Sequence, residues 1–250
     1  MERHHTFGCL DVFMSDGSLP LNPKEVLVFV QGEVGFIPFA TGRAITGGRS
    51  TNARVLSRFM NVEPFNTLPQ AIDPAWTLTQ VSEDRAVFCI STWFPVTMMP
   101  DANHELWSMC YPMMRDIVLW LLDLGCEEMT FLSAFNAQQN FDDDCLVEVD
   151  VNNRESTDGE VPLIMPAWFM PDLFARLGGQ SFMLGVQQDE GQYLDEQALQ
   201  VMLTAVGVRG WQINIDSLTT TLKNLLEVQP AIEDIERFFN GNGGDMEEWR

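Results

Sequence analysis

The chain has 250 residues, 46% of them apolar, with a formal net charge of −22. That is enough apolar material for a sizeable core without disulfide or metal support, and it excludes an intrinsically disordered chain. The 36 acids against 14 bases exclude binding to a phosphate backbone, so no nucleic-acid partner is expected.

In chain order, the first element is a buried strand over Glu25–Val30 (EVLVFV), followed by the glycine turn at Gly32 and Gly35. That turn is a possible ligand turn. Its spacing is neither a dinucleotide fingerprint nor a P-loop, so close helix–sheet packing explains it more simply. A helix is expected over Phe39–Met60 and a second buried strand over Ala86–Thr92 (AVFCIST). The next helix, Leu106–Leu124, carries Leu106, Cys110, Met113, Ile117, Trp120, Leu121 and Leu124 at helical spacing and closes at Gly125, where a positive φ is expected. It leads into a strand over Met129–Phe135, forming the helix-to-strand half of a right-handed crossover.

Cys145–Val151 alternates apolar and acidic residues, as a half-exposed or edge strand does. A helix over Pro166–Leu177 and a strand over Ser181–Val186 follow. The last pair of helices opens at Asp195 and at Asp216, the second acid read as a cap, and runs to Phe239. Strands alternating with helices define an α/β protein: a three-layer domain with a mostly parallel sheet and a C-terminal helix pair. Residues 1–239 form a single domain in this reading, with 195–239 as the helix pair and 240–250 as a flexible tail.

No signature of catalysis stands out. His104 is the only histidine away from the N-terminus, and it has no nucleophile motif or second histidine to complete a triad. Asp142, Asp143, Asp144, Glu148 and Asp150 lack the ligand spacing and glycine bend of a calcium loop, so they read as a solvated charge run. The five cysteines, at 9, 89, 110, 126 and 145, have no metal-binding spacing and read as free buried thiols. No metal and no cofactor is expected.

The apolar run Ile117–Leu122 is too short and too closely flanked by charge to span a bilayer, so no membrane partner is expected. The first residues lack the layout of a signal peptide, and a cytoplasmic location is expected. Only Lys24 and Lys223 are lysines; with the excess of acids, this suggests adaptation to concentrated salt. Met98, Met99, Met109, Met113 and Met114 cluster about one helix, read as core with a sharper alternative of an exposed association patch. The tail, with Met246, Trp249 and Arg250 after a glycine- and asparagine-rich stretch, is a candidate partner-binding peptide.

Several of these segments carry a resemblance. DEQALQVML (Asp195–Leu203), IDSLTTTL (Ile215–Leu222) and AIEDI (Ala231–Ile235) resemble the C-terminal pattern of the proteasome-assembly-chaperone family, the archaeal and bacterial relatives of the second eukaryotic assembly chaperone. The unit DIVLWLLDLGCEEMTFLSAF is similar to the family's apolar helix, glycine turn and strand, and EVLVFVQGEVGF to its strand and glycine-rich turn. The first turn and the segment QSFMLGVQQDEGQ are poorer in glycine than the family's pattern.

The resemblance implies a non-catalytic, oligomeric protein-binding factor whose client is a proteasome α-subunit or another oligomeric protein. Some members dock through a hydrophobic–tyrosine–any-residue tail; here Glu248, Trp249 and Arg250 stand at those places, with an acid in the apolar position. The alternative is an enzyme, because nucleoside phosphorylases share this layered architecture. Such an enzyme would act on a small molecule at the C-terminal strand ends, near Gly32–Gly35, Thr92–Trp93 and Ala134–Asn136. It would need two of Arg43, Arg49 and Arg54 over a closed polar pocket.

Overall fold

The computed structural model describes residues 3–15, 21–30, 36–57, 76–90, 104–136, 146–153, 165–188, 194–225 and 227. Its elements are β1 (Arg3–Phe7), β2 (Leu10–Met14), β3 (Glu25–Val30), α1 (Ile37–Thr46), β4 (Ala53–Ser57), β5 (Trp76–Gln80), β6 (Arg85–Ile90), α2 (His104–Asp123), β7 (Glu128–Asn136), β8 (Leu146–Asp150), α3 (Met165–Arg176), β9 (Gln180–Gln188) and α4 (Glu196–Val208). A further helix, α5, covers residues 215–225.

The strands form one mixed sheet in the order β1-β2-β4-β5-β6-β3-β7-β9-β8. Its centre, β6-β3-β7-β9, is parallel. Antiparallel strands extend it on both sides, with β8 as the edge next to β9. Helices cover both faces, which makes three layers. Along β3, Val26 and Val28 pack in the core with α2 and α3, while Leu27 and Phe29 pack in the core with α1 and α4. A strand buried on both faces has no polar alternation, which is why EVLVFV is continuously apolar.

The expected helix over Phe39–Met60 is a correction. Helix α1 ends at Thr46, where Gly47 adopts φ 61° and donates its N–H to the Arg43 carbonyl, and Ala53–Ser57 is strand β4. The apolar Ala53, Val55 and Leu56 satisfy a helical period as well as a strand, and the pair Gly47–Gly48 decides between them. At Gly125 the expected positive φ is present, at 90°. Two bonds close α2 there: Gly125 N–H to the Leu122 carbonyl and Cys126 N–H to the Leu121 carbonyl.

The β1–β2 turn is tied to α2. Asp116 is buried within the apolar helix and accepts the backbone N–H of Cys9 at 2.7 Å, while Arg115 donates to its other oxygen at 2.8 and 3.0 Å. Burial opposes ionisation of Asp116, but these bonds outweigh it and hold the carboxyl below its ordinary value.

Candidate functional site

The parallel strands start in register, and that puts charged residues in a row. Glu25 faces Arg85 across β3–β6 and Glu128 across β3–β7, and Glu128 faces Gln180 across β7–β9. All four share the parity of Leu27, Val87, Leu132 and Leu184, so they lie on the α1/α4 side of the sheet. The α4–α5 turn, Arg209–Gly210–Trp211, settles onto this row.

Two arginines hold the turn. Arg85 pairs with Glu25 at 2.7 Å, donates to the carbonyls of Gly210 at 2.6 Å and Arg209 at 3.2 Å, and lies 5.0 Å over the Trp211 ring. Arg209 reaches the other way, over the Phe182 ring at 4.3 Å, with Glu128 at 3.9 Å and Glu148 in direct contact. Gly210 makes this possible: its φ is 82°, and a Cβ there would stand 3.2 Å from the Arg85 guanidinium. Gly210 N–H bonds the Gly207 carbonyl and Trp211 N–H the Val206 carbonyl, so the same glycine cap that ends α2 ends α4.

Both C-terminal helices are capped by side chains. Helix α4 opens at Asp195 as expected, and the Asp195 carboxylate caps it by accepting from the N–H groups of Gln197 and Ala198. The cap of α5 is a correction: Asn214, two residues before Asp216, accepts from Ser217 N–H at 2.8 Å. Its own N–H is held by the Ala44 carbonyl of α1 at 2.9 Å, so tertiary contact selects the amide over the acid.

Beside the turn lies an open crevice of about 350 Å³, lined by residues that include Glu25, Arg49, Asp84, Arg85, Trp211 and Gln212. It sits at the N-terminal ends of the parallel strands. Of Arg43, Arg49 and Arg54, only Arg49 lines it. Val208 and Ile215 flank the turn in sequence with 84% and 65% of their surface exposed, the largest exposures among the described large apolar residues. Helices α4 and α5 together, residues 196–225, carry two acids, Glu196 and Asp216, against two bases, Arg209 and Lys223. In a chain of net charge −22 this is a neutral, apolar-tipped corner.

Burial pushes the thiols of Cys9, Cys89 and Cys126 up to about 12. Burial, then the neighbouring Glu25 carboxylate, raises Glu128 against the opposing pull of Arg209 and Arg85. Among the described residues no group of three or more His, Cys, Asp or Glu is placed to hold a metal ion. Nor is any described helix long and apolar enough to cross a membrane.

Gly32, Gly35, Thr92, Trp93, Asp142–Asp144, Met98, Met99 and the tail residues Met246, Trp249 and Arg250 lie outside the described residues. Met113 and Met114 are core, not surface. Asp150 accepts from Asn152 and Asn153 and closes a turn. Arg85, Arg209, Trp211, Val208 and Ile215 were not foreseen. The available signal was the tripeptide Arg-Gly-Trp inside a stretch without excess acid.

The overall α/β fold is similar to that of solved proteasome-assembly-chaperone homologues. The chain is similar to PbaB of Pyrococcus furiosus, an archaeal proteasome activator (TM-score 0.59, 12% identity, 90% of this chain and 99% of that one). It is also similar to PbaA of the same organism, an archaeal homologue of proteasome-assembly chaperone (0.60, 13%, 91% and 98%). A proteasome-assembly chaperone homologue of Mycobacterium tuberculosis matches with TM-score 0.54 and 11% identity, over 83% of this chain and 95% of that one. At these identities the likeness establishes the fold. No protein-family model matches the chain. No curated protein matches it.

Proposed function

We propose that this protein is a non-catalytic binding factor that engages an oligomeric client, namely proteasome α-subunits, and that it self-associates. The observation that carries the reading is the corner itself. Val208 and Ile215 stand exposed on either side of a turn that two arginines brace, within a helical pair that lacks the acidic excess of the chain. A preorganised apolar tip is what an interface needs, because little ordering entropy is lost on binding. PbaB, an archaeal proteasome activator, and PbaA, an archaeal homologue of proteasome-assembly chaperone, have a similar fold and support the same client class. The tail residues Met246, Trp249 and Arg250 add a second contact in this reading, and the acidic, lysine-poor surface keeps the protein dispersed in concentrated salt inside the cytoplasm.

The test is affinity capture from lysate of the native cells at high salt, with mass spectrometry of proteasome α-subunits. The full chain is expected to recover them, and the double variant Val208→Asp/Ile215→Asp to recover at least fivefold less. Removal of Asn240–Arg250 is expected to lower recovery further. Absence of α-subunits from every eluate overturns the assignment.

A further inference from the structure

We propose that this protein self-associates head to tail by strand addition, with β1 of one copy paired antiparallel to β8 of the next, so that one sheet runs through both. This rests on the self-association of the protein and assigns the surface responsible. Strands β1 and β8 are the two ends of the nine-stranded order, and among the described residues each pairs with a single strand. They also differ in charge. RHHTF holds an arginine and two histidines without an acid, the largest basic content of any described strand. LVEVD holds two acids without a base, and no other described strand has two. His4, His5 and Glu148 are exposed. A strand edge of this kind is a template for another strand.

Hydrogen-bond phase fixes which backbone groups each edge offers. Ser15 N–H bonds the Asn52 carbonyl, so the backbones of Asp11, Phe13 and Ser15 turn toward β4, and those of Leu10, Val12 and Met14 toward β1. Phe7, His5 and Arg3 oppose the latter three, which aims the backbone groups of His4 out of the sheet. At the other edge Val151 N–H bonds the Ser181 carbonyl. The backbones of Val149 and Val147 therefore turn toward β9, and those of Glu148 and Asp150 aim outward.

Direction and face agree as well. The pairings across the sheet make β1 and β8 run in opposite directions, so a copy rotated about the strand axis presents them antiparallel. His4 shares the face of Phe13, opposite to that of Val12 in the α2/α3 core, and Glu148 shares the face of Leu184 in the α1/α4 core. Both lie on the α1/α4 side, and the layers continue from copy to copy. Matching the outward groups sets His4 against Asp150 of the next copy on that face, and Phe7 against Val147 on the other. His5 and Val149 then meet as a non-hydrogen-bonded pair, with Cα atoms about 4.5 Å apart.

Charge selects this arrangement over its rivals. Pairing β1 with β1 sets bases against bases, and β8 with β8 sets acids against acids. Asp11 and Arg209 already touch His4 and Glu148, so the side-chain pairs give direction while the backbone ladder supplies the binding. Two chains of −22 repel at long range, and about 1 M salt screens that repulsion to about 3 Å. A head-to-tail contact closes into a ring or runs on as a filament.

The experiment uses full-length chains in about 1 M potassium chloride. His5→Cys and isotope-labelled Val149→Cys chains are mixed under mild oxidation, and disulfides are mapped by mass spectrometry. The separation of a non-hydrogen-bonded pair admits a disulfide, so labelled and unlabelled chains are expected to join through the two introduced thiols. Sedimentation velocity compares the unaltered chain with His4→Pro, which removes an N–H aimed out of the sheet and is expected to weaken association at least tenfold. Circular dichroism confirms folding. Independently of any variant, hydrogen exchange in the unaltered chain is expected to slow in residues 3–7 and 146–150 together as concentration rises. An associating protein that forms no such link, links each variant to its own kind, ignores His4→Pro or gains protection in one segment alone overturns this interface and leaves self-association standing. A chain that stays monomeric at every concentration overturns both, and client capture is decided by its own experiment.

Discussion

The guanidinium of Arg85 lies 5.0 Å from the centre of the Trp211 ring while its nitrogens bond Glu25 and the carbonyls of Arg209 and Gly210. One side chain at the start of a parallel strand therefore fixes the exit of α4, the entry of α5 and the direction in which Val208 and Ile215 point. Arg85→Met keeps the stem but removes every polar bond and leaves Glu25 beside Glu128. The expected loss is about 2 kcal/mol of unfolding free energy in urea, moderated by the partial exposure of the site. A red shift in tryptophan emission is expected as Trp211, 5% exposed, loses its cover.

Gly210 and Gly48 separate backbone strain from contact. Both have positive φ, 82° and 74°, but a Cβ on Gly48 meets nothing within 4 Å, whereas one on Gly210 meets Arg85 at 3.2 Å. Gly48→Ala is expected to cost about 1 kcal/mol, the left-handed penalty alone. Gly210→Ala should cost about 2 kcal/mol, because Arg85 must also move. Equal losses in chemical unfolding would show that the Arg85 contact yields freely.

Local chemistry is legible where one interaction dominates. Burial on both faces makes Glu25–Val30 readable to the residue, and the alternation in Leu146–Asp150 announces an edge strand. Strands β1, β2 and β5 are not legible in RHHTF, LDVFM and WTLTQ because each is only five residues long, without strict alternation, and its partner is set by pairing in the sheet. The corner was illegible for a further reason. Arg85 and the Arg209 carbonyl it binds are 124 residues apart, and only strand register and a glycine cap bring them together.

Acid titration should expose two carboxylates of opposite sign. Asp116 is held below its ordinary 3.8, so its ionised form stabilises the fold above that value, and the contribution is lost as pH falls through the folded value. Glu128 is raised above its ordinary 4.5, so the folded state takes up its proton first and gains stability as pH falls toward 4.5. Asp116→Asn is expected to cost about 2 kcal/mol at pH 7, with the deficit shrinking below about pH 3.8. Glu128→Gln should remove the gain between neutrality and 4.5. Urea unfolding across pH 3–8 reads both; a deficit in Asp116→Asn that is constant with pH would refute the assigned linkage.

The three described thiols should be inert in the folded protein. With Cys9, Cys89 and Cys126 pushed up to about 12, almost no thiolate exists at pH 8. Iodoacetamide labelling mapped by mass spectrometry is expected to leave all three unmodified over a time that fully labels the urea-unfolded chain. Rapid labelling of Cys9, the least enclosed, would mean that the β1–β2 turn detaches from Asp116.

Salt should act on the whole molecule. At a net charge of −22 the folded state repels itself, and the screening length falls from about 10 Å at 0.1 M to about 3 Å at 1 M salt. The exposed pairs, such as Lys24 with Glu127 at 2.5 Å, weaken over the same range, but they are few and individually small. Net repulsion therefore decides the sign, and Tm is expected to rise by about 5 °C between 0.1 and 1 M potassium chloride, equivalent to one or two kcal/mol for a chain of this size. Arg43→Glu, which adds two negative charges at an exposed site, should lower Tm at 0.1 M and converge on the unaltered protein at 1 M. A Tm that falls with salt in both would place the balance on the ion pairs instead.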